Sequence, residues 1–438
     1  MLRINWSYYV EIYEKKEFVI LYNMSNRRIV AIKHEIFKLI QKYIQIPFEC
    51  DTEIQETVSE LYLLGFLKRE SVTKNDEISR FLDIKSKNKD DVCEIYFMPT
   101  LNCNMRCKYC MIGNTINKVY TRLMSNKDIK QTVRFIFESS EFHDVKDMRI
   151  VLFGGEPSMA INQNILFLEM SNKLKRKDQN IDYILITNGY IWNERDFDRL
   201  INLGVSTFQV TLDGPKEIHD KRRFNVEANG TFDKIMNNIE ILSKKNIILV
   251  IRINIDYENS KYIVQLLNYI YNKNINRNKN IVIQIAPVDP SDFYYSDSYN
   301  KEILNNYYEI YRQAFTLGFN VGEWHRGCSL QSKYTMAVDP EGYIYKCPSH
   351  AGKKDKNIGD VYNGFNDRYY QYLESHLNDR CKVCKYLGMC NGGCLSVNEI
   401  LGNDYCYESI IKIISEAYIT SKYQFDKKQT KRIKELID

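Results

Sequence analysis

Residues 99–113, PTLNCNMRCKYCMIG, place Cys103, Cys107 and Cys110 in one short loop with the spacing C-x3-C-x2-C. Thiolates are soft ligands, and a cysteine set without paired histidines narrows the metal to zinc or an iron–sulfur cluster. A structural zinc site closes with four protein ligands. No fourth cysteine stands near these three, and Cys93 falls inside a predicted strand. A cubane cluster held by three cysteines leaves one iron open. If a chelating substrate fills that position, the iron becomes a reaction centre.

Seven more cysteines follow in the C-terminal third: Cys328, Cys347, Cys381, Cys384, Cys390, Cys394 and Cys406. The N-terminus alternates charges with aromatics and has no apolar h-region. No apolar run reaches the roughly 18 residues that cross a bilayer. A cytoplasmic location without membrane attachment is expected, and in a reducing compartment twelve cysteines argue for metal or redox centres over disulfides. Cys50 and Cys93 read as small buried hydrophobes. The net charge of +5 is spread along the chain. A nucleic-acid binder concentrates its basic residues on one face, so that class is disfavoured, while a weak attraction for an acidic peptide is compatible.

The elements that must position the thiolates follow from hydrophobic period. In residues 1–70, YYVEIYE (8–14) and EFVILYN (17–23) alternate as strands, and RIVAI (28–32) follows the turn signal NMSNR. HEIFKLIQKYI (34–44) and TEIQETVSELYLLGFL (52–67) carry apolar residues at helical spacing, with Asp51 and Thr52 as N-cap candidates and Gly65 as the stop. This outlines a winged-helix-like domain. Residues 71–91, within a polar stretch that begins at 68, read as a linker with one short helix.

From 92 to 317 strands and helices alternate. Strands are expected at 93–99, 149–155, 183–187, 207–213, 247–255 and 281–287, each a short apolar run suited to a parallel sheet. Six β–α units predict an α/β fold, a partial (β/α)6 TIM-like barrel whose ligands gather at the C-terminal strand ends. The three cysteines follow the first strand, GGEP the second, TNG the third and LDGP the fourth. Residues 318–410 change character, with a hairpin at 335–347 turning at Pro340 and Gly342. A helical tail, 411–438, ends in a basic run.

C-x3-C-x-Tyr-C after the first strand resembles the signature of radical S-adenosylmethionine enzymes. The resemblance implies that Cys103, Cys107 and Cys110 hold a 4Fe–4S cluster whose fourth iron takes S-adenosylmethionine, with Tyr109 near the adenine. GGEP (Gly154, Gly155, Glu156, Pro157) is similar to the family motif that meets the methionine amino group. Asn188 and Thr211 become candidate ribose or carboxylate contacts, and Arg222 or Arg223 a candidate carboxylate clamp. The C-terminal cysteines resemble the SPASM iron–sulfur domain of peptide- and protein-modifying members. That implies two auxiliary 4Fe–4S clusters, three in all: an outer one on Cys381, Cys384, Cys390 and Cys406, and an inner one on Cys328, Cys347 and Cys394. The inner trio is again incomplete, and His325 is a candidate fourth ligand; Glu323 and His325 are the weak candidates for a general base.

The activity implied is generation of a 5′-deoxyadenosyl radical and oxidative crosslinking, through a thioether or carbon–carbon bond, of a ribosomally made precursor peptide. Residues 1–70 resemble the element with which peptide maturases hold a leader by strand addition. An external one-electron reductant, flavodoxin- or ferredoxin-like, is a further expected partner. Formylglycine generation in a sulfatase is the alternative. Enzymes of that kind place an Asp directly after the cysteine corresponding to Cys347, where this chain has Pro348. A non-catalytic zinc-rich scaffold that binds peptide or nucleic acid is the alternative from another class.

Overall fold

The computed structural model describes residues 3–16, 18–45, 52–87, 93–112, 122–288, 300–322, 328, 332–374, 377–394, 396–397 and 406–429. The first elements are β1 (Ile4–Trp6), β2 (Val10–Glu14), β3 (Phe18–Asn23), β4 (Ile29–Lys33), α1 (His34–Gln45), α2 (Thr52–Leu63), β5 (Leu67–Arg69) and α3 (Lys74–Lys87). Strands β2, β3 and β4 form an antiparallel sheet, and β1 pairs with β5. The β1–β5 pair has no counterpart in the sequence reading, because three-residue strands are too short to show a period.

Strand β3 is buried on both faces. Val19 and Leu21 pack with Phe37, Ile40, Leu61 and Phe66 beneath the two helices. Ile20 and Tyr22, on the other face, belong to the core of the rest of the chain. Burying side chains of that size stabilises by roughly 1.5–3 kcal/mol each, so this one strand welds the N-terminal unit to the body.

The main sheet places β6 (Cys93–Phe97), β7 (Asp147–Leu152), β8 (Asn180–Thr187), β9 (Val205–Thr211), β10 (Ile248–Ile255), β11 (Ile281–Pro287) and β12 (Asn320–Val321) side by side, all parallel. Between them run α4 (Asn126–Glu138), α5 (Ile161–Leu174), α6 (Glu194–Asn202), α7 (Lys216–Arg222), α8 (Phe232–Leu242), α9 (Ile263–Asn272) and α10 (Asn300–Thr316). Six β–α units in spatial sequence order are the expected α/β partial barrel. The hairpin forms as β13 (Met336–Val338) and β14 (Tyr343–Tyr345). It does not stand apart: β13 lies parallel against β6, and β15 (Asn357–Asp360) and β16 (Gly364–Phe365) extend the same sheet. A C-terminal helix, Glu408–Gln429, packs on α10, where Tyr308 donates to Glu416 at 2.6 Å. No helix among the described residues is long and apolar enough to cross a membrane.

The N-terminal unit also docks on the cysteine-rich segment. Tyr8 donates to the Val383 carbonyl at 2.7 Å, Glu11 accepts from Tyr386 at 3.0 Å and pairs with Lys385 at 2.9 Å, and a Cβ on Gly388 would sit 2.0 Å from the Met24 carbonyl oxygen. Helix α3 is part of the same joint. Glu77 accepts from Ser7 Oγ at 2.5 Å and the Tyr8 amide at 3.1 Å, and pairs with Lys68 at 2.8 Å. Hydrogen bonds to a charged group of this kind contribute about 1.5–3 kcal/mol. Glu77→Ala is therefore expected to lower stability by about that amount, read as a lower urea midpoint and earlier proteolytic cleavage around residues 70–91.

Candidate active site

The loop after β6 is fastened by backbone on two flanks. On one side the Gly155 amide donates to the Thr100 carbonyl at 3.0 Å and the Glu156 amide to the Asn102 carbonyl at 2.9 Å. Approach this close excludes side chains. A Cβ would lie 2.2 Å from Thr100 O at Gly154 and 2.1 Å from Asn102 O at Gly155, and Gly154 sits at φ +133°. The glycine pair is thus required by contact with the cysteine loop itself, a demand the sequence reading did not assign to it. On the other side Arg106 N donates to Phe224 O at 2.8 Å, Lys108 N to Arg222 O at 3.2 Å and Val226 N to Asn104 O at 3.2 Å.

Glu156 is buried, and its carboxylate joins two strand ends. It accepts from Thr187 Oγ1 at 2.6 Å, from the Asn188 amide at 2.7 Å and from the Ser158 amide at 3.0 Å. Burial pushes its carboxyl above the ordinary range, and these donors pull it back. Asn188 in turn donates to Asn104 Oδ1 at 2.7 Å and approaches Cys103 Sγ at 3.7 Å. The Glu156 carboxylate therefore acts on the cysteine loop through Asn188. Pro157 is buried and opens a 3-10 turn, Pro157–Ala160, that continues into α5.

Tyr109, between Cys107 and Cys110, reaches into a buried charge network. Its hydroxyl donates to Asp213, accepts from Arg223 Nη1 at 2.7 Å and from Asn254 Nδ2 at 3.1 Å, and its ring lies 5.4 Å from the Arg222 guanidinium. The two arginines are not equivalent. Arg222 is bound to Asp256 through bonds of 3.0 and 2.7 Å, and its Nε, 3.7 Å from an Asp213 carboxylate oxygen, has no hydrogen-bond partner among the described residues. Arg223 uses Nη1 on Tyr109, and its Nε has no hydrogen-bond partner among the described residues. Thr211 ends β9 beside Arg252, which is in register with Gln284 of β11 and donates to it at 3.3 Å. Sequence reasoning passed over Asp213, Arg252, Asn254 and Asp256. The signal was the polar alternation of RIN within an otherwise apolar strand.

Burial pushes the Cys103 thiol up to about 12 and the Cys107 thiol to about 11; Glu156 adds to the first shift and Arg223 opposes the second. In the C-terminal region Cys347 is likewise raised to about 12 by burial, with Cys394 and Cys328 close enough to add to it. Cys384 is raised by burial and by its neighbours, among them Cys406 and Cys381. Cys390 follows Cys384 through one short turn, with the Leu387 amide donating to Cys384 O at 3.2 Å. Cys103 thus has Cys107 and Cys110 as neighbours, Cys347 has Cys394 and Cys328, and Cys384 has Cys406 and Cys381. Among the described residues no three His, Cys, Asp or Glu side chains converge on a single-ion site. Around the first trio, buried donors without acceptors, Asn104 Nδ2 and Arg223 Nε, suit an anionic ligand such as a thiolate-bound cluster with a carboxylate-bearing cosubstrate. Glu323 and His325 lie outside the described residues.

Gly155→Ala should drive the loop off its flank, so the purified protein is expected to lose the iron of one cluster, as is expected of Cys107→Ala, while any iron held by the C-terminal cysteines stays. Tyr109→Phe should keep the iron yet weaken S-adenosylmethionine binding about tenfold, the equivalent of roughly 1.4 kcal/mol, measured by equilibrium dialysis.

Residues 97–270 match the family model described as the radical SAM superfamily. In sequence the chain is 23% identical over 325 residues to the cysteine-type anaerobic sulfatase-maturating enzyme of Clostridium novyi, covering 67% of this chain and 85% of that one. In structure it is similar to anSMEcpe with bound AdoMet, with a TM-score of 0.60 and 17% identity over 77% of this chain and 99% of that one. It is also similar to Streptococcus suis SuiB bound to precursor peptide SuiA, with a TM-score of 0.53 and 15% identity over 92% of this chain and 97% of that one. A cysteine trio after the first strand of a partial barrel, flanked by the glycine pair and the buried Tyr109 network, is the setting in which that match to the radical SAM superfamily falls.

Proposed function

We propose that this enzyme binds the leader of a ribosomally made precursor peptide on residues 1–70 and oxidatively installs an intramolecular thioether or carbon–carbon crosslink in it. The observation that carries the reading is the N-terminal sheet. Strand β4 pairs with β3 alone among the described strands, which leaves a ladder edge for strand addition. The likeness to peptide-bound SuiB supports it, since that structure covers 92% of this chain against 77% for anSMEcpe. The added share is about what residues 1–70 occupy.

Cys103, Cys107 and Cys110 would hold a 4Fe–4S cluster, which together with S-adenosylmethionine would supply hydrogen-abstracting radical chemistry. The chain's own residues bind and orient. Arg222 and Arg223 each keep an Nε without a hydrogen-bond partner among the described residues, and Arg223 is the less committed partner for the cosubstrate carboxylate because Arg222 is paired with Asp256. Gly154 and Gly155 offer backbone, Asn188 and Thr211 border the strand ends, and Arg252 and Gln284 make a polar layer in the barrel for the substrate. Cys381, Cys384, Cys390 and Cys406 are assigned to an outer auxiliary cluster, and Cys328, Cys347 and Cys394 to an inner one. Electrons enter from a flavodoxin- or ferredoxin-like donor.

Formylglycine formation is the second reading, favoured by the likeness to sulfatase-maturating enzymes and opposed by Pro348. Mass spectrometry after anaerobic turnover separates them. A leader-bearing peptide encoded beside the gene is expected to lose a pair of hydrogen atoms in an S-adenosylmethionine-dependent reaction, while its leaderless form stays unmodified. Formylglycine in a sulfatase peptide, or an unchanged mass for every leader-bearing peptide, would overturn crosslinking.

A further inference from the structure

Next to Cys347 the chain builds a buried row of polar groups that the reaction described above does not use. Cys347 Sγ lies 3.0 Å from Ser349 Oγ, Ser349 Oγ lies 3.0 Å from Ser396 Oγ, and Ser396 Oγ lies 3.1 Å from His350 Nε2. His350 and Ser396 are buried and Ser349 is half-buried. A short 3-10 turn, Pro348–His350, makes the row possible: it begins at Cys347 and closes with the His350 amide on the Cys347 carbonyl at 3.0 Å. Pro348 has no N–H to offer the sulfur. Ser349 supplies both a backbone and a side-chain donor in its place.

The direction of the row follows from counting protons. A sulfur bound to iron is a thiolate and only accepts. Ser349 must then donate to it, and its single hydroxyl proton is used. Its oxygen must accept from Ser396, whose proton is used in turn. Ser396 must accept from His350, which fixes the imidazole proton on Nε2. Each link polarises the next in the same sense, so the whole row strengthens the bond at the sulfur. An alkoxide ligand role for Ser349 does not fit, because an oxygen 3.0 Å from Cys347 Sγ is at hydrogen-bonding distance from that sulfur.

We propose that Ser349, Ser396 and His350 form a one-way hydrogen-bond relay that ends on the Cys347 sulfur and raises the reduction potential of the inner auxiliary cluster. The inference rests on the assignment of Cys328, Cys347 and Cys394 to that cluster. Hydrogen bonds to ligating sulfurs are among the groups that set iron–sulfur potentials, because they stabilise the added negative charge of the reduced state. The three residues are positioning residues: they act through Cys347 and touch no substrate.

The test is EPR-monitored redox titration of full-length, anaerobically reconstituted protein carrying Cys103→Ala, Cys107→Ala and Cys110→Ala, which isolates the C-terminal clusters. Iron and sulfide analysis of this parent comes first, and iron for fewer than two clusters refutes the cluster assignment itself. With both clusters present, Ser349→Ala is expected to shift one midpoint to lower potential without loss of iron. Ser349→Thr, which keeps the hydroxyl, is expected to hold the parent value. Ser396→Ala and His350→Phe should shift the same midpoint in the same direction by less. An unchanged midpoint in Ser349→Ala overturns the relay, and so does a Ser349→Thr midpoint equal to that of Ser349→Ala. Loss of iron in Ser349→Ala likewise overturns it, by making the residue a structural support. The same set in the holoenzyme, where the first cluster is identified by its spectral response to S-adenosylmethionine, checks the sign in the protein as it works.

Discussion

Backbone contact on both flanks of residues 100–108 is the constraint on which the site depends. Carbonyls at Thr100 and Asn102 are taken by the Gly155 and Glu156 amides, and amides at Arg106 and Lys108 are taken by carbonyls of 224 and 222. A loop tied this way has spent its conformational entropy in folding, so its three cysteines sit on a fixed backbone. The ends of β6, β7 and β9 are thereby fixed relative to one another, and β8 joins them through Glu156 and Asn188.

The same loop carries an electrostatic burden. Asp213, Arg222 and Arg223 are all buried. Ions removed from water lose several kcal/mol of hydration each unless geometry restores it. Here it is restored by a bidentate Arg222–Asp256 pair and by Tyr109, which mediates between Arg223 and Asp213. His219 completes the network from behind, accepting from the Asp213 amide on Nδ1 and meeting Thr231 through Nε2, while Thr231 donates to the Arg223 carbonyl. Burial and the two arginines hold that imidazole neutral, with its titration well below the usual histidine range. Removing one member would strand its partner, so the network and the metal loop stand together.

A second joint ties the N-terminal unit to the cysteine-rich end. Strand β3 shares its two faces between separate cores, and Glu11, Tyr8 and Met24 meet residues 383–388. The sheet of the barrel likewise continues through β13 into β14, β15 and β16 without a break. The N-terminal unit, barrel and C-terminal cysteines are packed as one body, so a peptide held at β4 would be anchored to a fixed frame.

Period and spacing made the α/β repeat, the N-terminal strands and the two groups of cysteines legible in the sequence, because parallel strands and closely spaced cysteines are written in local runs. Short strands such as β1 and β5 escaped, since three residues carry no period. The polar members of the site escaped for another reason. Asn254 and Asp256 are 145 and more residues from the loop they support, and nothing local marks them except an alternation that apolar burial does not require. Arg222 and Arg223 are adjacent in sequence and look interchangeable there. Only the tertiary structure separates them, by giving Asp256 to one and Tyr109 to the other. The sequence by itself determined which atoms can bind metal, through side-chain chemistry and spacing. Which polar groups are left free to meet a ligand was decided by packing, because a buried donor is committed or available only according to what the fold brings beside it.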